Sequence, residues 1–110
     1  MIDENEAQRA VDYIRDKAPE YAAAKANRTY IENALKTVKA KQMSESDKKT
    51  LGDREMDAYM SIEYETMLRG LREAVEIEET LKFRMKAAEL RFEQWRVEQF
   101  TVKREEKMFS

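Results

Sequence analysis

The sequence predicts an all-α protein: an antiparallel, coiled-coil-like helical hairpin with a very long C-terminal helix and an N-terminal helix kinked at Pro19, assembling into a helical oligomer. Three observations predict it. Among 110 residues 40% are charged, with only two Gly and one Pro, which favours helix and leaves few of the turns a sheet needs. Apolar residues recur in alternating steps of three and four along two long stretches. The second stretch is also too long to be covered by its own monomer.

The first arm is expected over residues 3–43. Pro19 ends or kinks it, so one helix is predicted near 3–17 and another from 19, where a first-turn proline is tolerated and Glu20 suits the N-terminal dipole. Residues 44–60 form the connection. Within them "SESDKKTLGD" gathers turn formers and offers two capping boxes, Ser44 with Asp47 and Thr50 with Asp53. The helical pattern resumes at Asp53, with a restart at Ser61, and the long helix is expected over 61–107. A helix over 61–106 measures roughly 69 Å at about 1.5 Å per residue, more than a compact globule of this size can enclose. Gly70 is its weak point. Together these elements make one elongated helical domain over 1–110.

The seam of the long helix reads Tyr64, Met67, Leu71, Ala74, Glu78, Leu81, Met85, Ala88, Phe92, Trp95. That of the first arm reads Ala7, Val11, Ile14, Ala18, Tyr21, Ala24, Arg28, Ile31, Leu35, Val38. With the arms antiparallel, residues whose numbers sum to about 105 or 106 should face each other, so Leu35 meets Leu71 and Val11 meets Trp95. The two charged exceptions then also meet. A lone charge in a seam is costly unless paired, so Arg28 and Glu78 are expected to form a partly buried pair that fixes register more than it stabilises.

The stretch "AAELRFEQWR" (87–96) interleaves arginine with aromatic residues, as a strand-binding surface does. Helical geometry resolves it differently. At 100° per residue, Met85, Ala88, Phe92 and Trp95 fall on the seam. Phe83, Ala87, Leu90 and Val97 fall on the opposite side, a second apolar stripe that a two-armed hairpin leaves bare. Ala22, Ala23, Ala26 and Tyr30 add small-residue surface on the first arm. A homo-oligomer covering these surfaces is the economical reading, with Phe83, Ala87, Leu90, Val97 and Tyr30 as interface candidates. Arg84 and Arg91 then flank an interface, and Lys82, Lys86, Glu89, Glu93 and Arg96 share a wet face of mixed sign.

Chemistry is poorly provided for. The chain has no Cys and no His, which removes thiolates, imidazole ligands and the commonest general base. Glu73, Glu76, Glu78 and Glu79 could place two carboxylates beside a cation, but helical di-metal sites normally add histidine, and a solvated acidic face is the plainer reading. No phosphate loop or nucleophile with a base is present. The expectation is a protein that is not an enzyme, with no cofactor and no metal. No apolar run long enough to span a membrane and no basic-then-apolar leader appear, so a soluble cytoplasmic protein with no membrane partner is expected.

The net charge of -2 conceals blocks of alternating sign: -3 over 1–24, +4 over 25–54, -6 over 55–80 and +3 over 81–110. Lys36, Lys39, Lys41, Lys48, Lys49 and Arg54 crowd the end of the first arm and the turn. Exposed at a hairpin tip and multiplied in an oligomer, they are candidates for contacting a phosphate backbone. The competing reading is a set of solubilising lysines around a turn.

The run "YAAAKANRTYIENALKTVKAKQM" followed by "DREMDAYMSIEYETMLRGLREAVEIEETLKFRMKAAELRFEQWR" resembles small helical proteins encoded by tailed phages, themselves similar to the phage recombination mediator UvsY. The resemblance covers about residues 20–96. It implies a helical oligomer that binds single-stranded DNA and helps load a recombinase onto strands coated by single-strand binding protein, in the host cytoplasm. It also implies DNA contact by basic residues near the connection, loosely matched by Lys48, Lys49 and Arg54. Two functions follow as expectations: a phage DNA-recombination accessory binding single strands non-specifically, or a structural adaptor that docks another protein and has no nucleic-acid role.

Overall fold

The computed structural model describes residues 1–109. Three helices and no strand occur among them: α1 (Glu4–Glu45), α2 (Leu51–Tyr59) and α3 (Ile62–Phe109). By their contacts the residues form two compact units. Unit 1 comprises Met1–Tyr21 with the chain from Thr80 onward, and unit 2 is Ala22–Glu79.

The capping residues explain the breaks between helices. Thr50, in extended conformation, accepts a hydrogen bond from the Asp53 amide at 3.1 Å and so caps α2, as its sequence pattern predicts. Ser61 caps α3 by accepting from the Tyr64 amide at 3.2 Å, and its own hydroxyl donates to the Ala58 carbonyl. The alternative cap at Ser44 does not form. Its hydroxyl donates instead to the Lys41 carbonyl at 2.7 Å, inside the last turn of α1. Pro19 does not end the first helix: α1 runs through it without interruption. The proline removes one backbone donor, and because Pro19 is exposed, the carbonyl it leaves unpaired can be satisfied by water.

Burial follows the heptads closely. Every α3 seam residue expected from the sequence, from Tyr64 to Trp95, is buried or half-buried, and the pattern continues through Gln99 and Val102. On α1 the inward positions are Ala7, Ala10, Ile14, Lys17, Tyr21, Ala24, Arg28, Ile31, Leu35, Val38 and Gln42. Two expectations need correction. Ala10 and Lys17 take the inward places assigned to Val11 and Ala18, and Val11 lies 38% exposed. Apolarity drew the reading toward Val11, whereas the unbroken alternation of three and four selects its small neighbour. Lys17 tolerates the place by carrying its stem along the seam while its ammonium reaches Glu20 at 3.2 Å.

Within unit 2, Ser46 bonds Asp57 at 2.6 Å near the connection, and Arg28 bonds Glu78 far from it. The arms therefore run antiparallel there. The Arg28–Glu78 contact is the pairing expected from the sum rule. Arg28 Nε donates to Glu78 Oε2, its Nη2 reaches Oε1 at 3.3 Å, and its Nη1 also holds Glu32 at 2.7 Å. Glu78 is 4% exposed, the only buried charged residue among those described. One of the four carboxylates read as a wet face is thus an interior group.

Within unit 1, the Ile2 amide donates to Glu98 Oε2 at 2.9 Å. The Phe92 and Trp95 rings meet tilted at 37° with centroids 5.8 Å apart, and Trp95 Nε1 is buried with no acceptor among the described residues. The fully buried apolar residues of the described chain are all alanines: Ala7, Ala10, Ala58 and Ala74. The large seam side chains around them, among them Leu35, Leu71, Phe92 and Trp95, are half-buried.

Candidate functional site

Two surfaces stand out, one in each unit. In unit 1 the α3 face opposite the seam carries Phe83, Leu90 and Val97 at intervals of seven, 59%, 62% and 54% exposed, with Ala87 exposed between the first two. Helical geometry puts them there: the steps from Phe83 to Ala87 and Leu90 are four and three, so all lie within one narrow stripe. Phe100, also exposed, borders its far end; sequence reading missed it, although it lies three residues past Val97. Lys82 Nζ lies 5.8 Å from the Phe83 ring centroid and shields only that ring. Tyr30, the remaining interface candidate, is exposed in unit 2, as are Ala22, Ala23 and Ala26.

Beside the stripe, unit 1 has a shallow groove of about 470 Å³ lined by Glu6, Arg9, Ala10, Tyr13, Arg84, Ala87, Ala88 and Arg91. Its floor is alanine. Its three guanidiniums, of Arg9, Arg84 and Arg91, have no carboxylate partner among the described residues, so they are available to anionic groups.

In unit 2 the six basic candidates separate. Lys39 is engaged: its ammonium donates to Glu55 Oε1 and to the Tyr59 hydroxyl, each at 2.7 Å, and lies 4.7 Å from the Tyr59 ring centroid. Glu55 first and Tyr59 second hold its proton affinity above the ordinary lysine value, and the Glu55 carboxyl is lowered in turn by Lys39. Arg54 Nε donates to the Lys48 carbonyl at 2.7 Å, which pins the connection. Lys36, Lys41, Lys48 and Lys49 are exposed with no side-chain partner among the described residues.

The connection also carries acid that a count of lysines passes over. Over residues 44–57 three basic residues face five acidic ones, and a hollow of about 460 Å³ is lined by Gln42, Glu45, Ser46, Asp47 and Asp57. Tyr59 and Tyr64 pack edge to face, ring centroids 5.2 Å apart, so Tyr64 serves the fold. Four apolar residues that the sequence reading missed, Leu51, Met56, Met60 and Ile62, are exposed on α2 and at the start of α3.

No helix among the described residues is long and apolar enough to cross a membrane. No protein-family model, curated protein or solved structure matches this chain.

Proposed function

We propose that this chain is a non-enzymatic helical assembly module that self-associates through the outer face of α3. One observation carries the reading. Phe83, Leu90 and Val97 stand more than half exposed in a row, while the buried apolar residues are alanines. Large apolar side chains left in a row on the outer face, beyond those that fill the seam, keep part of their hydrophobic driving force unspent. Association covers that row, and an adaptor role is supported by the other exposed apolar residues, Leu51, Met56, Met60 and Ile62, which are open to a different protein. The test is molar mass by light scattering across concentration. The reading expects a multiple of the chain mass that falls toward the monomer on dilution; a monomer at every concentration up to the millimolar range refutes it.

A second reading is favoured by the four unpaired lysines, Lys36, Lys41, Lys48 and Lys49. In it the assembled protein binds single-stranded DNA without sequence preference, and the resemblance to phage recombination mediators gives that binding its purpose: helping a recombinase onto strands coated by single-strand binding protein. Repeated copies of a weak basic tip gain affinity by avidity. Glu45, Asp47 and Asp57 at the same connection oppose phosphate, which ranks this second. Anisotropy of a labelled oligonucleotide should fall steeply with salt and be lost on Lys48→Glu with Lys49→Glu. Unchanged affinity in that variant removes the connection as a DNA site.

A further inference from the structure

We infer that unit 1 pairs with a second copy of itself as an antiparallel, two-fold dimer centred on Leu90. This rests on the self-association proposed above and adds its orientation and register.

The stripe is symmetric about Leu90, with Phe83 seven residues before it and Val97 seven after. If two α3 helices cross antiparallel there, residues whose numbers sum to about 180 lie opposite. Leu90 then meets Leu90, and Phe83 meets Val97 of the second copy. Such an interface uses the same patch twice and closes on itself, giving a dimer and not a filament.

The charges beside the stripe choose between orientations. With Phe83, Ala87, Leu90 and Val97 as core, one flank carries Lys86 and Glu93 and the other Arg84, Arg91 and Glu98. Antiparallel pairing sets each flank against itself. Lys86 then faces Glu93 of the second copy and Arg84 faces Glu98, each twice by symmetry. The single like-charge meeting is Arg91 with Arg91 on the axis, where both side chains reach the groove and solvent. Parallel pairing sets one flank against the other with a five-residue offset. Lys86 would then lie beside Arg91 and Glu93 beside Glu98, again twice each, so both contacts repel.

The side chains are free to take these roles. Lys86, Arg84 and Arg91 are exposed with no acidic partner among the described residues. Glu93 is held by Arg96 and Glu98 by Gln94 and the Ile2 amide, and a carboxylate with about four lone-pair sites can accept further donors.

The test uses the full chain, which has no cysteine, so introduced thiols are unique reporters. Under mild oxidation Phe83→Cys mixed with Val97→Cys should cross-link to each other more than either does to itself, and Leu90→Cys should link to itself. Self-linking of Phe83→Cys and of Val97→Cys, with no gain on mixing, overturns the orientation. A second arm leaves the apolar row intact. Lys86→Glu should weaken association roughly three- to tenfold, from two symmetry-related surface contacts turned repulsive, and adding Glu93→Lys should restore it. Strengthening by Lys86→Glu is the parallel signature and overturns the proposal. If the wild-type chain never exceeds monomer mass, self-association itself fails. If it assembles while the cross-links and charge swaps run the other way, the antiparallel pairing alone fails.

Discussion

Removing one partner of the Arg28–Glu78 pair should have very unequal effects, depending on which partner goes. Arg28→Leu leaves the Glu78 carboxylate at a place where only 4% of the residue is exposed and no other cation among the described residues bonds it. Stranding a buried carboxylate in this way costs about 3–5 kcal/mol, a drop in Tm on the order of 10 °C or more for a chain of this length. Glu78→Leu is milder. The guanidinium keeps Glu32 at 2.7 Å, its side chain is about a quarter exposed, and the leucine fills a seam position. Replacing both, Arg28→Leu with Glu78→Ile, should leave Tm at or above the wild-type value, because neither charge then needs desolvation. The loss should appear elsewhere, in register, since two apolar seams can slide by a heptad without stranding a charge. Thermal melts by far-UV circular dichroism measure the first effect, and label-to-label distances between positions 35 and 71 measure the second. Equal losses for the two single variants would refute the burial argument. A sharply destabilised double variant with unchanged register would refute the assignment of the pair to specificity.

Three further outcomes follow from the same frame. Ala10→Asp should destabilise by several times more than Val11→Asp in urea melts, because Ala10 is buried in the seam and Val11 lies at its rim; the reverse order would restore the alternative phase of α1. Gly70→Ala should stabilise by about 0.5–1 kcal/mol, since Gly70 is helical and an added Cβ meets no atom within 4 Å; a loss would mean that the position is closely packed. The Glu98 carboxyl is held below the ordinary range, first by the Ile2 amide and then by Gln94. A lowered folded-state value means its contribution is present above the usual carboxylate pKa, about 4.3 for glutamate, and is lost as pH falls through the folded value. The Ile2 amide resonance should therefore titrate on acidification in the wild type and stay flat in Glu98→Gln; titration in both would place its anchor elsewhere.

Much of the fold was legible because helices write their packing into sequence with a fixed period. The α3 seam, the Thr50 and Ser61 caps and the Arg28–Glu78 meeting all follow from spacing, capping chemistry and the cost of a lone charge in a seam. Where reading by residue type competed with spacing, spacing decided: Ala10 and Lys17 turn inward although Val11 and Ala18 look the better core residues. Pro19 was legible as a disruption, but α1 continues through it, because one missing donor at an exposed turn weighs little against seam residues on both sides. The candidate sites were less legible. The outer stripe of α3 follows from the same period, whereas the lysines at the connection depend on partners no linear count reveals. Lys39 is taken by Glu55 and Tyr59, Arg54 by the Lys48 carbonyl, and the nearby acids share the connection with the lysines that remain.

Sedimentation equilibrium of the wild type beside Leu90→Glu and Ile62→Glu weighs the central claim most directly, because both variants place a carboxylate on an exposed apolar patch but only one lies on the outer face of α3. Wild type and Ile62→Glu should assemble alike, while Leu90→Glu should sediment as a monomer at the same concentration. Assembly that survives Leu90→Glu and is lost with Ile62→Glu would move the interface to the corner between α2 and α3 and contradict that claim.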